Sequence, residues 1–347
     1  MHRPPPTPTT PGRAPAARRR GLTLIELLLV MALIGLVVGG GLGVFAALDL
    51  GKNQALGLVK NTVRAAQNTA IAQETPARVR LELAEGRLWA EALMVIGTWH
   101  FEDEDLAGSF GIGGVLRGAD LTEDGYLGRA LHFDGRTPGA LARLAVHERP
   151  SFQLRHGFAV ECAVRREATG AATLVSVDEV VGLQVTRYGA LRGWFYPEIE
   201  DETGFRGTGP RVVVESEPGL VPLDRWVRLA VVYDRRELSI FQDGVRLASV
   251  AEEAPVFAID GPLEVGDRHQ AFAGRIDDLV ISAVETGEET ELPDGVVFAS
   301  DSAADVRFDA GGGLDRRHHR GPVVIGLIYE DGTRVDVNVG IYGTVDG

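Results

Sequence analysis

The sequence predicts a mainly β chain with a long N-terminal α-helix, in which an α+β unit of helix and small antiparallel sheet is interrupted by a β-sandwich jelly roll. Three observations predict it. An apolar N-terminal run passes into an amphipathic helical pattern. A short alternating strand follows, and strands of the same kind return near the C-terminus. Residues 97–288 between them are rich in short, glycine-bounded strands and lack helical periodicity.

Residues 1–21 hold five arginines (Arg3, Arg13, Arg18, Arg19, Arg20) and no acid, and their Pro-rich part, 2–17, reads as disordered. Leu22 to Leu48 follow, 27 residues in which Glu26 is the one ionisable side chain. As a helix this run is about 40 Å long at about 1.5 Å per residue, enough to cross a hydrocarbon core of about 30 Å. Residues 22–50 are therefore read as a transmembrane helix, too long for the apolar part of a cleaved secretory signal. The positive-inside bias keeps the arginines in the cytoplasm and exports everything after Asp49. From Gly51 to Gln73 the residues Leu56, Val59, Val63, Ala66 and Ala70 recur at three- and four-residue spacing, a stripe for packing onto a sheet. Pro76 ends the helix; Ala77 to Leu83 then alternates apolar Val79, Leu81 and Leu83 with Arg78, Arg80 and Glu82, and Glu85-Gly86 turns the chain back. In the insert, strands are expected at 158–165, 173–177, 182–186, 226–233 and 237–241. After it they are expected at 296–298, 306–308, 323–329 and 335–339.

Composition narrows the function. The 347 residues, about two domains in length, carry a formal charge of −14. Without the first 21 residues, 30 basic side chains stand against 49 acidic ones, a charge of −19 that argues against a nucleic-acid partner. Cys162, the single cysteine, excludes an internal disulfide or a cysteine-based metal cluster and reads as an inert core thiol.

Arg18-Arg19-Arg20-Gly21 directly before Leu22-Thr23-Leu24-Ile25-Glu26 resembles the processing site of type IV prepilins and type II secretion pseudopilins. The resemblance implies cleavage after Gly21 by a prepilin peptidase, N-methylation of Leu22, retention of the apolar helix in the inner membrane and assembly with other pilin subunits. Physics supports a special role for Glu26 independently, because a carboxylate within a spanning helix costs about 2.5 to 3.5 kcal/mol and needs a partner. In a filament, the new amine at Leu22 of a neighbouring subunit supplies one. Leu292-Pro293-Asp294-Gly295-Val296-Val297-Phe298, Val306-Arg307-Phe308-Asp309 and the closing strands resemble the ending of H-type minor pseudopilins. Residues 51–96 and 289–347 would then form one pilin-like sheet and helix around the insert.

Inside 97–288, Gly128-Arg129-Ala130-Leu131-His132-Phe133-Asp134-Gly135, Trp226-Val227-Arg228-Leu229-Ala230-Val231-Val232-Tyr233-Asp234 and Gly274-Arg275-Ile276-Asp277-Asp278-Leu279-Val280-Ile281 resemble laminin-G-like, concanavalin A-like sandwiches. Many such sandwiches bind sugars or proteins, often with calcium, a cation that wants clustered carboxylate and carbonyl oxygens. Asp103 or Asp105 with Asp277 is the candidate calcium set, set against a plain solvated acidic turn at Glu102 to Asp105. Glu198, Glu200 and Glu202 alternate as the paired carboxylates of a glycosidase would, although a surface loop explains them more simply. Trp194, Phe195 and Tyr196 are candidates for stacking on sugar rings, against a core role. Arg316-Arg317-His318-His319-Arg320 reads as a mobile loop. The expectation is a non-enzymatic minor pilin or pseudopilin displaying a sandwich toward a glycan or protein ligand. The alternatives are a single-pass surface lectin or adhesin that never polymerises and a membrane-tethered glycoside hydrolase.

Overall fold

The computed structural model describes residues 50–149 and 152–347, so Gly21, Leu22, Glu26 and the apolar run lie outside the described residues. Among the described residues no helix is long and apolar enough to cross a membrane. Residues 54–347 form one compact unit. One long helix, α1 (Leu50–Gln73), is followed by β1 (Ala77–Glu82) and β2 (Arg87–Trp99). Next come β3 (Gly114–Arg117), β4 (Asp120–Thr122), β5 (Ala130–Asp134), β6 (Leu141–Leu144), β7 (Phe158–Arg166), β8 (Ala172–Val177), β9 (Val181–Val185) and β10 (Leu191–Phe195). A small hairpin, β11 (Glu198–Glu200) and β12 (Arg206–Thr208), precedes β13 (Val212–Glu215), β14 (Trp226–Tyr233), β15 (Glu237–Gln242), β16 (Val245–Ala251), β17 (Leu263–Gly266) and β18 (Ala273–Thr286). The chain closes with β19 (Thr290–Glu291), β20 (Val296–Phe298), β21 (Asp305–Phe308), β22 (Val323–Tyr329), β23 (Arg334–Val339) and β24 (Val345–Asp346).

Two sheets make the sandwich, and period-two alternation sends one face of each inward. The first is 11-stranded, ordered β16-β15-β14-β7-β18-β2-β1-β21 with β4, β5 and β19 alongside; the second is ordered β13-β10-β9-β8-β17-β6-β3. Their inner residues, among them Trp99, Phe133, Phe158, Phe195, Tyr233 and Ile276, are buried in one apolar core. Trp99 is its largest side chain, donating its indole N–H to the Ile112 carbonyl at 3.1 Å. A Cβ at Gly97 or Gly108 would collide with that ring, so both positions must lack one. The β15–β16 hairpin closes through Asp243-Gly244, both at positive φ, as a two-residue turn between right-twisted strands demands.

A second apolar core lies under α1. Ala55, Val59, Val63, Ala66 and Ala70 are buried at helical spacing against Val79, Leu81 and Leu88 of the first sheet and Val306, Phe308, Ile325 and Leu327. The expected stripe is present, with Ala55 buried and Leu56 packed at its margin. Residues 289–347 do not complete a single sheet: β21 pairs with β1 and β19 with β2, whereas β20, β22, β23 and β24 form a separate four-stranded sheet. The two cores are not separate bodies joined by linkers. β2 contributes Leu88 and Ala92 to the helical core and Trp99 to the sandwich core, so one strand belongs to both.

The turn between β14 and β15 presses on the β1–β2–β21 face opposite α1. There Arg78, 7% exposed, bonds Glu91 at 2.6 Å and Asp234 of that turn at 3.0 Å. Arg307 reaches Asp234 at 3.0 Å and Asp305 at 2.9 Å, and Arg236 reaches Asp305 at 3.1 Å. Three arginines thus balance three acids. Burial alone would raise the acids, yet Arg78 and Arg307 hold the Asp234 carboxyl below its ordinary value, and Arg307 and Arg236 do the same for Asp305. Because these folded-state values are depressed, their stabilisation is complete above the unfolded carboxylate value of about 3.9 and is lost as pH falls through the folded values. The thermal midpoint should therefore fall steeply below about pH 4. In the double variant Asp234→Asn/Asp305→Asn that fall should flatten.

Candidate functional site: the loop end of the sandwich

The residues singled out for calcium lead to one end of the sandwich, where β18 carries a bulge between Asp277 and Val280. Asp278 sits in the bulge at φ +47, a left-handed conformation rare for a non-glycine residue. Asp277 is fully buried. Its Oδ2 accepts the backbone N–H of Tyr126 and of Leu127, each at 2.9 Å, and its Oδ1 accepts that of Asp278 at 2.6 Å. Burial pushes this carboxyl above its ordinary value although the three N–H groups pull the other way.

Asp277 is thus committed to the loop between β4 and β5. Asp103 and Asp105 are exposed; the Asp105 carboxylate caps the Ala107 N–H at 3.0 Å, and the Asp103 carbonyl accepts the Leu106 N–H at 3.0 Å. Among the described residues no group of three His, Cys, Asp or Glu is placed to hold a metal ion. A buried carboxylate already engaged by three N–H groups and a solvated acidic turn do not make a calcium centre.

What Asp277 holds up is an aromatic surface. Tyr126, 39% exposed, meets Trp226 edge to face with centroids 5.9 Å apart, and the Arg228 guanidinium lies 5.9 Å from the Tyr126 ring. Arg228 bonds Asp278 at 2.5 Å and also Glu161, while His100 Nδ1 stands 2.9 Å from Asp278. Asp124 ties the same loop to Arg165 at 3.1 Å. Sequence reasoning missed this platform. Its trace is Gly125-Tyr126-Leu127-Gly128, two apolar side chains between glycines in a loop.

The other candidates are placed elsewhere. Trp194 and Phe195 are buried, Trp194 beneath the Arg211 guanidinium, so neither offers a face to a sugar. Glu198 is clamped by Arg155 at 2.6 and 2.8 Å, and Glu200 pairs with Arg206 at 3.2 Å. Glu202 lies beyond β11, in the turn, so the three glutamates do not line one strand as the alternation suggested. His318 stands 3.0 Å from Asp315, and His319 Nε2 accepts the Arg307 backbone N–H at 2.9 Å, which ties this segment to β21. Cys162 is buried and burial pushes its thiol far up. A thiol reagent should leave it unmodified in the folded protein and label it after denaturation, as mass spectrometry would read.

Comparison with known proteins adds to this geometry. Residues 16–42 match the prokaryotic N-terminal methylation motif, and residues 138–289 match the concanavalin A-like lectin/glucanases superfamily. No curated protein matches the chain. Among solved structures, domain 4 of AbnA, a GH43 extracellular arabinanase from Geobacillus stearothermophilus in complex with arabinotriose, is 18% identical. That similarity covers 55% of this chain and 93% of that one at a TM-score of 0.41. The botulinum neurotoxin serotype G binding domain is 11% identical over 54% of this chain and 47% of its own, at 0.39. A mutant Trypanosoma rangeli sialidase displaying trans-sialidase activity is 11% identical over 54% of this chain and 30% of its own, at 0.38.

Proposed function

We propose that this protein is a minor pilin or pseudopilin, a non-enzymatic subunit held in the inner membrane by residues 22–50 until a type II secretion or type IV pilus-like machine assembles it. The observation that carries the reading is a methylation motif at 16–42 in the same chain as a lectin-like sandwich at 138–289. Cleavage after Gly21 would free the Leu22 amine, and Glu26 would pair with that amine of a neighbouring subunit in the filament. The helix under its sheet is the pilin-like body, and the sandwich is the part that meets a glycan or protein ligand. A sandwich of this bulk on every subunit would crowd a filament, so the subunit is assigned a low-copy place at the tip.

The test is the N-terminal mass of the membrane-extracted protein from cells with and without prepilin peptidase. A peptidase-dependent start at N-methylated Leu22 is expected. An intact Met1, or a start beyond the apolar run, would replace this reading with that of a tethered or secreted lectin. Processing that survives in Glu26→Ala while the protein leaves the filament fraction would assign Glu26 to assembly.

A further inference from the structure

Away from the aromatic platform, a cleft of about 180 Å³ opens where the sandwich meets β1 and β2. Arg80, Trp89 and Glu91 of the two strands line it, together with His156 and Arg235 from the sandwich and Glu289 from the returning chain. The acids of the cleft are already partnered, although Glu82 and Glu289 share the one Arg87 guanidinium with Glu85. Glu91 is bonded by Arg78 and by the Trp89 indole N–H at 2.7 Å, and Glu82 and Glu289 both pair with Arg87, at 2.5 and 2.6 Å. The cations are not: among the described residues neither Arg80 nor Arg235 makes an ion pair. Arg80 is half-buried 5.8 Å over the Trp89 ring, and burial, with Arg78, Arg236 and Arg235 nearby, lowers its pKa against the pull of Glu91. Arg235 spends its Nε on the Glu253 carbonyl at 3.3 Å, and its φ of +61 holds it in the β14–β15 turn.

We infer that this cleft binds a carboxylated sugar residue, its carboxylate between Arg80 and Arg235 and its ring hydroxyls on the glutamates and His156. Two guanidiniums that make no ion pair among the described residues, one of them half-buried, call for an anion, and arginine's planar fork fits a carboxylate. The cleft suits one ring rather than an extended polymer. Its mixed lining separates sugar from peptide: ring hydroxyls donate to Glu82, Glu91 and Glu289, whereas the acidic side chain of a peptide, an acceptor only, offers those carboxylates no donor. The inference rests on the reading of the sandwich as the ligand-binding part of an exported subunit.

The test is calorimetric titration of the detergent-extracted full chain with glucuronic acid, glucose and N-acetylaspartate. Glucuronic acid should bind, with glucose and N-acetylaspartate at least about tenfold weaker, the worth of one charge-assisted bond. Arg80→Gln and Arg235→Gln should each weaken glucuronic acid by about tenfold. Arg235 lies in a turn, so Arg235→Gln should keep the wild-type thermal midpoint and decide the matter if Arg80→Gln unfolds. No binding, glucose equal to glucuronic acid, or full affinity in Arg235→Gln would overturn the site. N-acetylaspartate equal to glucuronic acid would overturn the sugar and assign an acidic peptide. An unprocessed N-terminus would fail the filament reading alone, since these titrations do not depend on it.

Discussion

Asp234→Ala is expected to destabilise the protein by about 3–5 kcal/mol, the cost of removing one partner from a buried ion pair. The aspartate is the one member of the six-residue network that the sandwich turn sends to both Arg78 and Arg307. Its loss strands two poorly solvated guanidiniums whose remaining partners are Glu91 and Asp305. It also removes the Oδ1 acceptor of the Arg236 and Glu237 N–H groups, each at 3.0 Å, which shapes the β14–β15 turn. Asp234→Asn keeps an acceptor for the turn and removes only the charge, so the gap between the two variants separates the network from the turn. Chemical denaturation of the detergent-extracted protein measures both. A cost for Asp234→Ala within about 0.5 kcal/mol, the range of an ordinary surface substitution, would show that the network does not hold the two cores together.

Asp277→Ala should cost about 3 kcal/mol or more. Three backbone N–H groups lose their acceptor together, and each buried donor left without a partner costs about 1–3 kcal/mol. The damage should be local in character: the 123–128 loop should become the first site of proteolytic nicking, and Trp226 fluorescence should shift as Tyr126 leaves it. Asp277→Asn keeps an acceptor oxygen and should fall between wild type and Asp277→Ala. A variant with unchanged proteolysis would mean that the loop is held by Asp124 and Arg165 instead.

Much of the fold was legible because its signals are local. Val79, Leu81 and Leu83 alternate with charges, and Val59, Val63, Ala66 and Ala70 repeat at helical spacing, so each segment announces its own period. The 226–233 and 323–329 strands appear with the bounds their alternation implied. What was not legible was non-local. Nothing near Trp226 indicates that it will meet Tyr126, a hundred positions earlier in the chain, and nothing near Asp277 indicates that two N–H groups of the loop between β4 and β5 will claim its Oδ2. An aspartate in a late strand reads equally as a metal ligand or as an anchor until its partners are known. The glutamates at 198, 200 and 202 failed for a related reason: a turn, with Thr203 and Phe205 folding back on Asp201, ended the strand after Glu200.

The shared strand β2 has a consequence for modularity. Leu279 of β18 faces Trp99 of β2, and the pairing runs on from there to Thr286 opposite Glu91, so the chain leaves for the sandwich and returns from it along one antiparallel ladder. Residues 100–278 therefore occupy the position of a hairpin loop, grown from a turn into a domain. Because the ladder itself brings the two ends together, the size of what hangs from it adds little closure entropy to the remainder, which rises only with the logarithm of loop length. The architecture behaves as a socket with one keyed contact: a different sandwich exchanged at Trp99 and Leu279 would keep the ladder, but it would need an acid of its own in place of Asp234 to meet Arg78 and Arg307.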